Sequence, residues 1–223
     1  MKLAGLYLIL DPSVAGFHLH PPAPDAPRRV PFPALADLVR TALETGVRLF
    51  QLRMKTPHTG EFYDMATHLC QLVQQGGGTF IVNDRCDVAM AVGADGVHLG
   101  QDDLPLADAR AILGPGKLIG ISTHNLNQAI QAEAGGADYI GFGPIFPTVT
   151  KEHPNPVVGV AGLREVRAKV RIPIVAIGGI NVKNVADVCT AGADCCAVVS
   201  AVLSAADPAK AITELMKAIE SRT

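Results

Sequence analysis

GADYIGFGPIFPTVTK, residues 136–151, shows how this chain is built. Gly136 follows a polar, helix-patterned stretch, and a glycine there closes a helix and turns the backbone toward a strand. Tyr139–Phe142 is a short apolar run of strand character, and Gly143 and Pro144 end it. The loop beyond carries Thr148, Thr150 and Lys151: two hydroxyls and an ammonium that suit an anion. Gly-Ala-Asp recurs at 93–95 and 192–194, and Thr-Gly-Val at 45–47 holds the corresponding place. The spacing gives a quarter repeat, one mark before every second strand.

Outward from that stretch, β-rich runs alternate with amphipathic helical intervals. Strands are expected at 3–10, 47–52, 79–82, 96–99, 117–121, 139–142, 174–177 and 196–200. Helices are expected near 33–45, 61–75, 85–92, 105–113, 126–135, 159–169, 182–191 and 207–221. Regular βα alternation demands parallel strands. The fold class is therefore α/β, a (β/α)₈ TIM barrel in one domain, 1–223; an open doubly wound sheet is the runner-up. One Pro-rich stretch, 13–33, interrupts the pattern as an inserted loop after the first strand. On the catalytic face of a barrel it would act as a lid or rim. His18 and His20 within it have no third metal ligand beside them.

Composition narrows the partners. The 223 residues are 48% hydrophobic and 18% charged, with a net charge of −2. That charge leaves no broad basic field for nucleic acid. No apolar run reaches the roughly 20 residues that span a bilayer, so no membrane partner is expected. MKLAGLYLIL looks like a short secretory segment, but Asp11-Pro12 interrupts it and a single lysine precedes it. Five cysteines match neither a disulfide framework nor a zinc motif, which suits a reducing cytoplasm. Small-molecule substrates are expected, and a homo-oligomer is left open.

Barrel chemistry sits where strands run out into loops. In QLRMK, Gln51, Arg53 and Lys55 share one strand face, an amide and two cations that suit a diphosphate. Phe50, Leu52 and Met54 face the other way. After the third strand comes Asn83-Asp84, which reads either as a helix cap or as a metal-facing pair. HLGQDD brings Asp102 and Asp103 after the fourth strand, with Asp102 solvated or capping. Asp84 and Asp103 together suit Mg²⁺, which takes hard oxygen ligands and keeps substrate phosphates. Ser122 either caps the next helix or bonds a polar ring, and His124 is an available acid or base. Gly178 and Gly179 in AIGGIN, with Val199 and Ser200 in AVVSA, stand where this fold commonly holds a phosphate. Tight packing is the other reading of the two glycines.

QLRMK, VNDRCDVA, GADGVHLGQDDLP, IGIST, GADYIGFGPIFPTVTK, IPIVAIGGIN and AVVSAV, in this order, resemble the thiamine-phosphate synthase (thiamine-phosphate pyrophosphorylase) family. The likeness covers about 3–10 and 47–203. It implies a transferase joining 4-amino-5-hydroxymethyl-2-methylpyrimidine diphosphate to hydroxyethylthiazole phosphate, releasing pyrophosphate with Mg²⁺ as cofactor. Matched residue by residue, it places Gln51, Arg53, Lys55, Asn83 and Lys151 on the pyrimidine diphosphate and Ser122 on the pyrimidine. Asp84 and Asp103 fall on the metal, and Thr148, Thr150, Gly179, Val199 and Ser200 on the thiazole phosphate. Arg53, Lys55 and Lys151 would be the catalytic cations. Met54 stands where the family usually has an acidic residue, and the 13–33 insertion is longer than expected. The residues also contain no convincing nucleophile–base pair, which fits a dissociative substitution that needs only charge stabilisation. A thiazole tautomerase or non-catalytic regulator of the same barrel family would lack the clamp and carboxylates. A sugar-phosphate or indole-type barrel isomerase would need an acid–base pair.

Overall fold

Eight parallel strands close on themselves in chain order, each bonded to the next and the last to the first. The computed structural model describes residues 3–14, 33–55, 58–148 and 155–221. The strands are β1 Gly5–Leu10, β2 Leu49–Leu52, β3 Thr79–Asn83, β4 Gly96–Leu99, β5 Leu118–Thr123, β6 Tyr139–Phe142, β7 Ile174–Ile177 and β8 Cys195–Val198. The helices between them are α1 Pro33–Glu44, α2 Thr59–Gln75, α3 Cys86–Ala91, α4 Leu106–Leu113, α5 Leu126–Ala134, α6 Gly159–Arg167 and α7 Val185–Thr190. After β8 come a single turn, α8 Ser200–Leu203, and the closing α9 Pro208–Glu220. The expected barrel stands. The open sheet is excluded by the β1–β8 pairing. The turn α8 was not expected, because its first residue, Ser200, read as the end of a strand. Most of the Pro-rich segment lies outside the described residues, together with His18 and His20.

Strand parity separates two cores. Leu6, Leu8, Leu10, Phe50, Leu52 and Phe80 point outward and pack beneath the helices. Tyr7, Ile9, Leu49, Ile81, Tyr139, Val175, Cys195 and Ala197 fill the lumen. The helices cover the outer core through stripes such as Ile212, Leu215 and Ile219 of α9. That helix begins at Asp207, whose side chain accepts from the Lys210 amide, with Pro208 in its first turn.

The quarter repeat has a physical basis at the base of the barrel. Gly46, Gly93, Gly136 and Gly192 all adopt positive φ, between 71° and 103°, the conformation that turns each helix into its strand. The aspartates that follow then bind back across the sheet. Asp95 accepts from Phe80 N at 2.8 Å, Asp138 from Ile119 N at 2.7 Å, and Asp194 from Ile174 N at 2.8 Å. Arg110 pairs with Asp138 and Arg167 with Asp194. In the first quarter the matching triplet is Gly46-Val47-Arg48 rather than Thr-Gly-Val. Arg48 takes the aspartate's place, and its carbonyl accepts from Thr79 N.

Glycines facing the lumen make room for rings. A methyl on Gly120 would run into the ring of Tyr139 on the adjacent strand, and one on Gly141 would stand 2.9 Å from Cε1 of His98. Gly120→Ala is therefore expected to lower stability by about 1–3 kcal/mol, the usual cost of overpacking. Gly116→Ala, with nothing within 4 Å of the new methyl, serves as the control. Equal denaturation midpoints for the two variants would refute the packing account.

Candidate active site

The inward parity of the strands carries past their ends and assembles polar side chains at the mouth. Beyond β1 lies Asp11, 1% exposed, which forms an ion pair with Arg53 beyond β2. Ser13 donates to the same carboxylate from its amide at 3.0 Å and its hydroxyl at 2.6 Å. The Arg53 amide donates to Leu10 O, so backbone and side chain are both tied to the first strand. Asp11 thus orients the guanidinium. Its signal was there to read: it continues the Tyr7–Ile9 parity into the mouth.

Lys55, largely exposed, pairs with Asp84 beyond β3. Asp84 has a φ of 64°, the left-handed region that Asp tolerates, and its amide donates to His98 O at 2.8 Å. Neither Asn83 nor Asp84 caps α3; Arg85 holds that position without a side-chain cap. The capping reading is thereby removed. Asp103 accepts from the Gly100 amide at 2.6 Å. Its carboxyl is pushed above the ordinary value, first by burial and next by the Asp84 carboxyl within hydrogen-bonding reach. Lys55, itself exposed, is the cation that faces these two acids. Among the described residues no cluster of three or more His, Cys, Asp or Glu could hold an ion. A two-carboxylate pair suits a cation that completes its shell with water and phosphate. Asp102 is exposed, as expected.

Below the ions runs a buried polar chain that sequence reading missed. Gln51 Nε2 donates to Tyr7 Oη at 2.9 Å, and Tyr7 Oη lies 3.2 Å from Tyr139 Oη. Tyr139 Oη lies 3.1 Å from His98 Nδ1, and His98 Nε2 lies 2.9 Å from Ser122 Oγ. Ser122 thus bonds a ring rather than capping α5, a role taken by Asn125. Tyr7 and Tyr139 read as apolar strand residues because their hydroxyl partners lie 44 and 132 residues away from Tyr7 in sequence. His124 is held to Gly143 O at 2.6 Å, apart from this chain.

On the far side, the loop after β6 docks on the turn after β7. Ile145 N bonds Ile177 O at 2.9 Å and Phe146 N bonds Gly178 O at 3.0 Å. A methyl on Gly179 would stand 2.5 Å from Pro147 O, and one on Gly178 would stand 2.6 Å from Pro144 Cα. Close packing is therefore real at both glycines and sets Thr148 beside the turn. Val199 and Ser200 form the step from β8 into α8. Asn83 ends β3, 9% exposed. Thr150 and Lys151 lie outside the described residues.

These features define a (β/α)₈-barrel enzyme with its polar groups gathered at the strand ends. The family model for thiamine monophosphate synthase matches residues 27–202. A thiamine-phosphate synthase of Chloroflexus aurantiacus is 51% identical over 178 residues, 80% of this chain and 82% of that one. One from Methanospirillum hungatei is 44% identical over 207 residues, 93% of each chain. The solved thiamine phosphate pyrophosphorylase of Pyrococcus furiosus superposes with a TM-score of 0.82 at 40% identity, over 99% of this chain and 97% of that one. The chain belongs to the thiamine monophosphate synthase family, transferases of thiamine biosynthesis.

Because folding raises its affinity for a proton, Asp103 adds stability below the ordinary carboxylate range and loses it as pH rises through the raised value. Asp103→Asn is thus expected to match or exceed the metal-free wild type in melting temperature at about pH 8, with that advantage shrinking toward about pH 4. A variant less stable by the same margin at both pH values would refute the carboxylate conflict.

Proposed function

We propose that the mouth joins the aminopyrimidine diphosphate to hydroxyethylthiazole phosphate, giving thiamine phosphate and pyrophosphate. The observation that carries this reading is the Asp84–Asp103 pair set against Lys55 and Arg53. These carboxylates fit Mg²⁺, which would supply positive charge to the departing pyrophosphate. Arg53, Lys55 and Lys151 add the remaining cations, and Gln51, Asn83 and Ser122 seat the pyrimidine half. Thr148, Thr150, Gly179, Val199 and Ser200 hold the thiazole phosphate.

In this reading the bond between the pyrimidine methylene and the diphosphate oxygen breaks, and its electron pair leaves with pyrophosphate. The electron-rich aminopyrimidine carries the transient cation until the thiazole nitrogen donates its lone pair to the methylene carbon. No side chain forms a covalent bond. The protein's work is orientation and fixed charge, since anchored groups need no reorganisation as the leaving charge develops. A tautomerase or regulator would have no use for the dicarboxylate and its cations.

We also read the chain as one domain, 1–223, with 13–33 inserted, working in the cytoplasm on small molecules without nucleic acid. Among the described residues no helix is long and apolar enough to cross a membrane.

The direct test is product formation from both purified substrates with and without Mg²⁺. Lys151→Ala is expected to lower turnover about 10²-fold or more, the cost of losing one fixed charge-stabilising group. Near-wild-type turnover would remove Lys151 from the leaving-group role, and no product with any metal would favour the tautomerase or regulator.

A further inference from the structure

We infer that Tyr7, Tyr139 and His98 are positioning residues whose hydrogen bonds run one way from Gln51 to Ser122, setting an acceptor at one end of the pyrimidine seat and a donor at the other. The inference rests on the proposed pyrimidine seat and goes beyond it in assigning three residues that do not touch substrate.

Each phenol has one proton to give, and so does a neutral imidazole. With Gln51 Nε2 donating to Tyr7 Oη, the Tyr7 proton must serve Tyr139 and the Tyr139 proton must serve His98 Nδ1. His98 then carries its proton on Nε2 and donates it to Ser122 Oγ, leaving the serine proton for the mouth. The amide oxygen of Gln51 is the other end. Among the described residues none donates to it, and no fully buried side-chain oxygen or nitrogen lacks a partner, so this oxygen retains access to the mouth.

Burial keeps the two phenols neutral. Tyr7 is 1% exposed and Tyr139 fully buried, and desolvation raises both phenols above their ordinary value. The rings are also fixed in place, since Tyr139 and His98 occupy the space left by Gly120 and Gly141. An amino group can donate to the Gln51 oxygen while a ring nitrogen accepts from Ser122. A 4-oxo pyrimidine presents the opposite pattern at the amide end. To bind it, the amide must turn, both phenols must rotate and the imidazole must change tautomer together. Sites that leave buried polar groups mismatched reject such analogues strongly.

The test compares kcat/KM for the aminopyrimidine diphosphate and its 4-oxo analogue in wild type, Tyr7→Phe and Tyr139→Phe. Breaking the chain frees the Gln51 amide to turn. The preference for the amino substrate should then fall about tenfold or more in both variants, while KM for the thiazole phosphate stays unchanged. Equal losses on both pyrimidines, or an unchanged preference, would overturn the inference. Should the variants fail to fold, the ¹⁵N shifts of His98 in the wild type decide: the Nε2-protonated tautomer is expected, and the Nδ1 tautomer overturns it. A wild type that makes no product from the amino substrate would instead refute the pyrimidine seat itself.

Discussion

Every second residue of eight strands must share one closed lumen, and that crowding governs the rest of the structure. The lumen cannot hold a large side chain at every inward position, so Gly120 and Gly141 stay bare where the rings of Tyr139 and His98 cross. Parallel register then stacks the contents in layers. Tyr7, Leu49 and Ala197 lie side by side at one level. Asn83 registers with His98, and His98 with Gly120. Above these the strands end, and the same parity delivers Asp11, Arg53 and Lys55 to the mouth. One geometric rule thus yields a packed floor, a polar middle and a charged rim.

Aspartate does opposite work at the two ends of the barrel. At the base, Asp95, Asp138 and Asp194 each accept a backbone amide from the neighbouring strand, and the last two also hold an arginine. Their charge is met within the fold and joins one strand to the next. At the mouth, Asp103 is partly buried beside Asp84, and its proton is held more tightly for that reason. A carboxylate pair left in conflict by the fold is a place where a cation gains free energy by binding. The acids at the base meet backbone amides and arginines, whereas Asp84 and Asp103 stand against each other and share Lys55.

Strand positions and parity were legible because buried parallel strands leave short apolar runs between glycine-ended helices. Gln51, Arg53 and Lys55 could be read as mouth residues from i, i+2 spacing, whereas loop position alone left Asp84 and Ser122 open between capping a helix and facing the site. Tyr7, Tyr139 and His98 could not be read in this way. A phenol in an apolar run looks like packing until the strand facing it across the lumen is known, and that pairing is fixed only by closure. The first quarter's triplet was placed one residue early, at 45–47 instead of 46–48, because a glycine-led triplet without its aspartate has two alignments. The α8 turn was hidden for a similar reason: Val199-Ser200 continues the β-rich run, and only the backbone reveals that β8 has already ended at Val198.

The two cations beside the carboxylates are not equivalent. Arg53 faces an aspartate that Ser13 grips twice, and its own amide is bonded to β1. Asp11 therefore cannot retreat, and the guanidinium keeps its orientation while its remaining donors stay available to an anion. Lys55 has the opposite situation. Its flexible side chain is more than half exposed, and its partner Asp84 belongs to the carboxylate pair that a cation would claim. Binding a cation between Asp84 and Asp103 would release Lys55 toward whatever anion accompanies that ion. The arginine is held by the fold itself, and the lysine would be coupled to any loading of that pair.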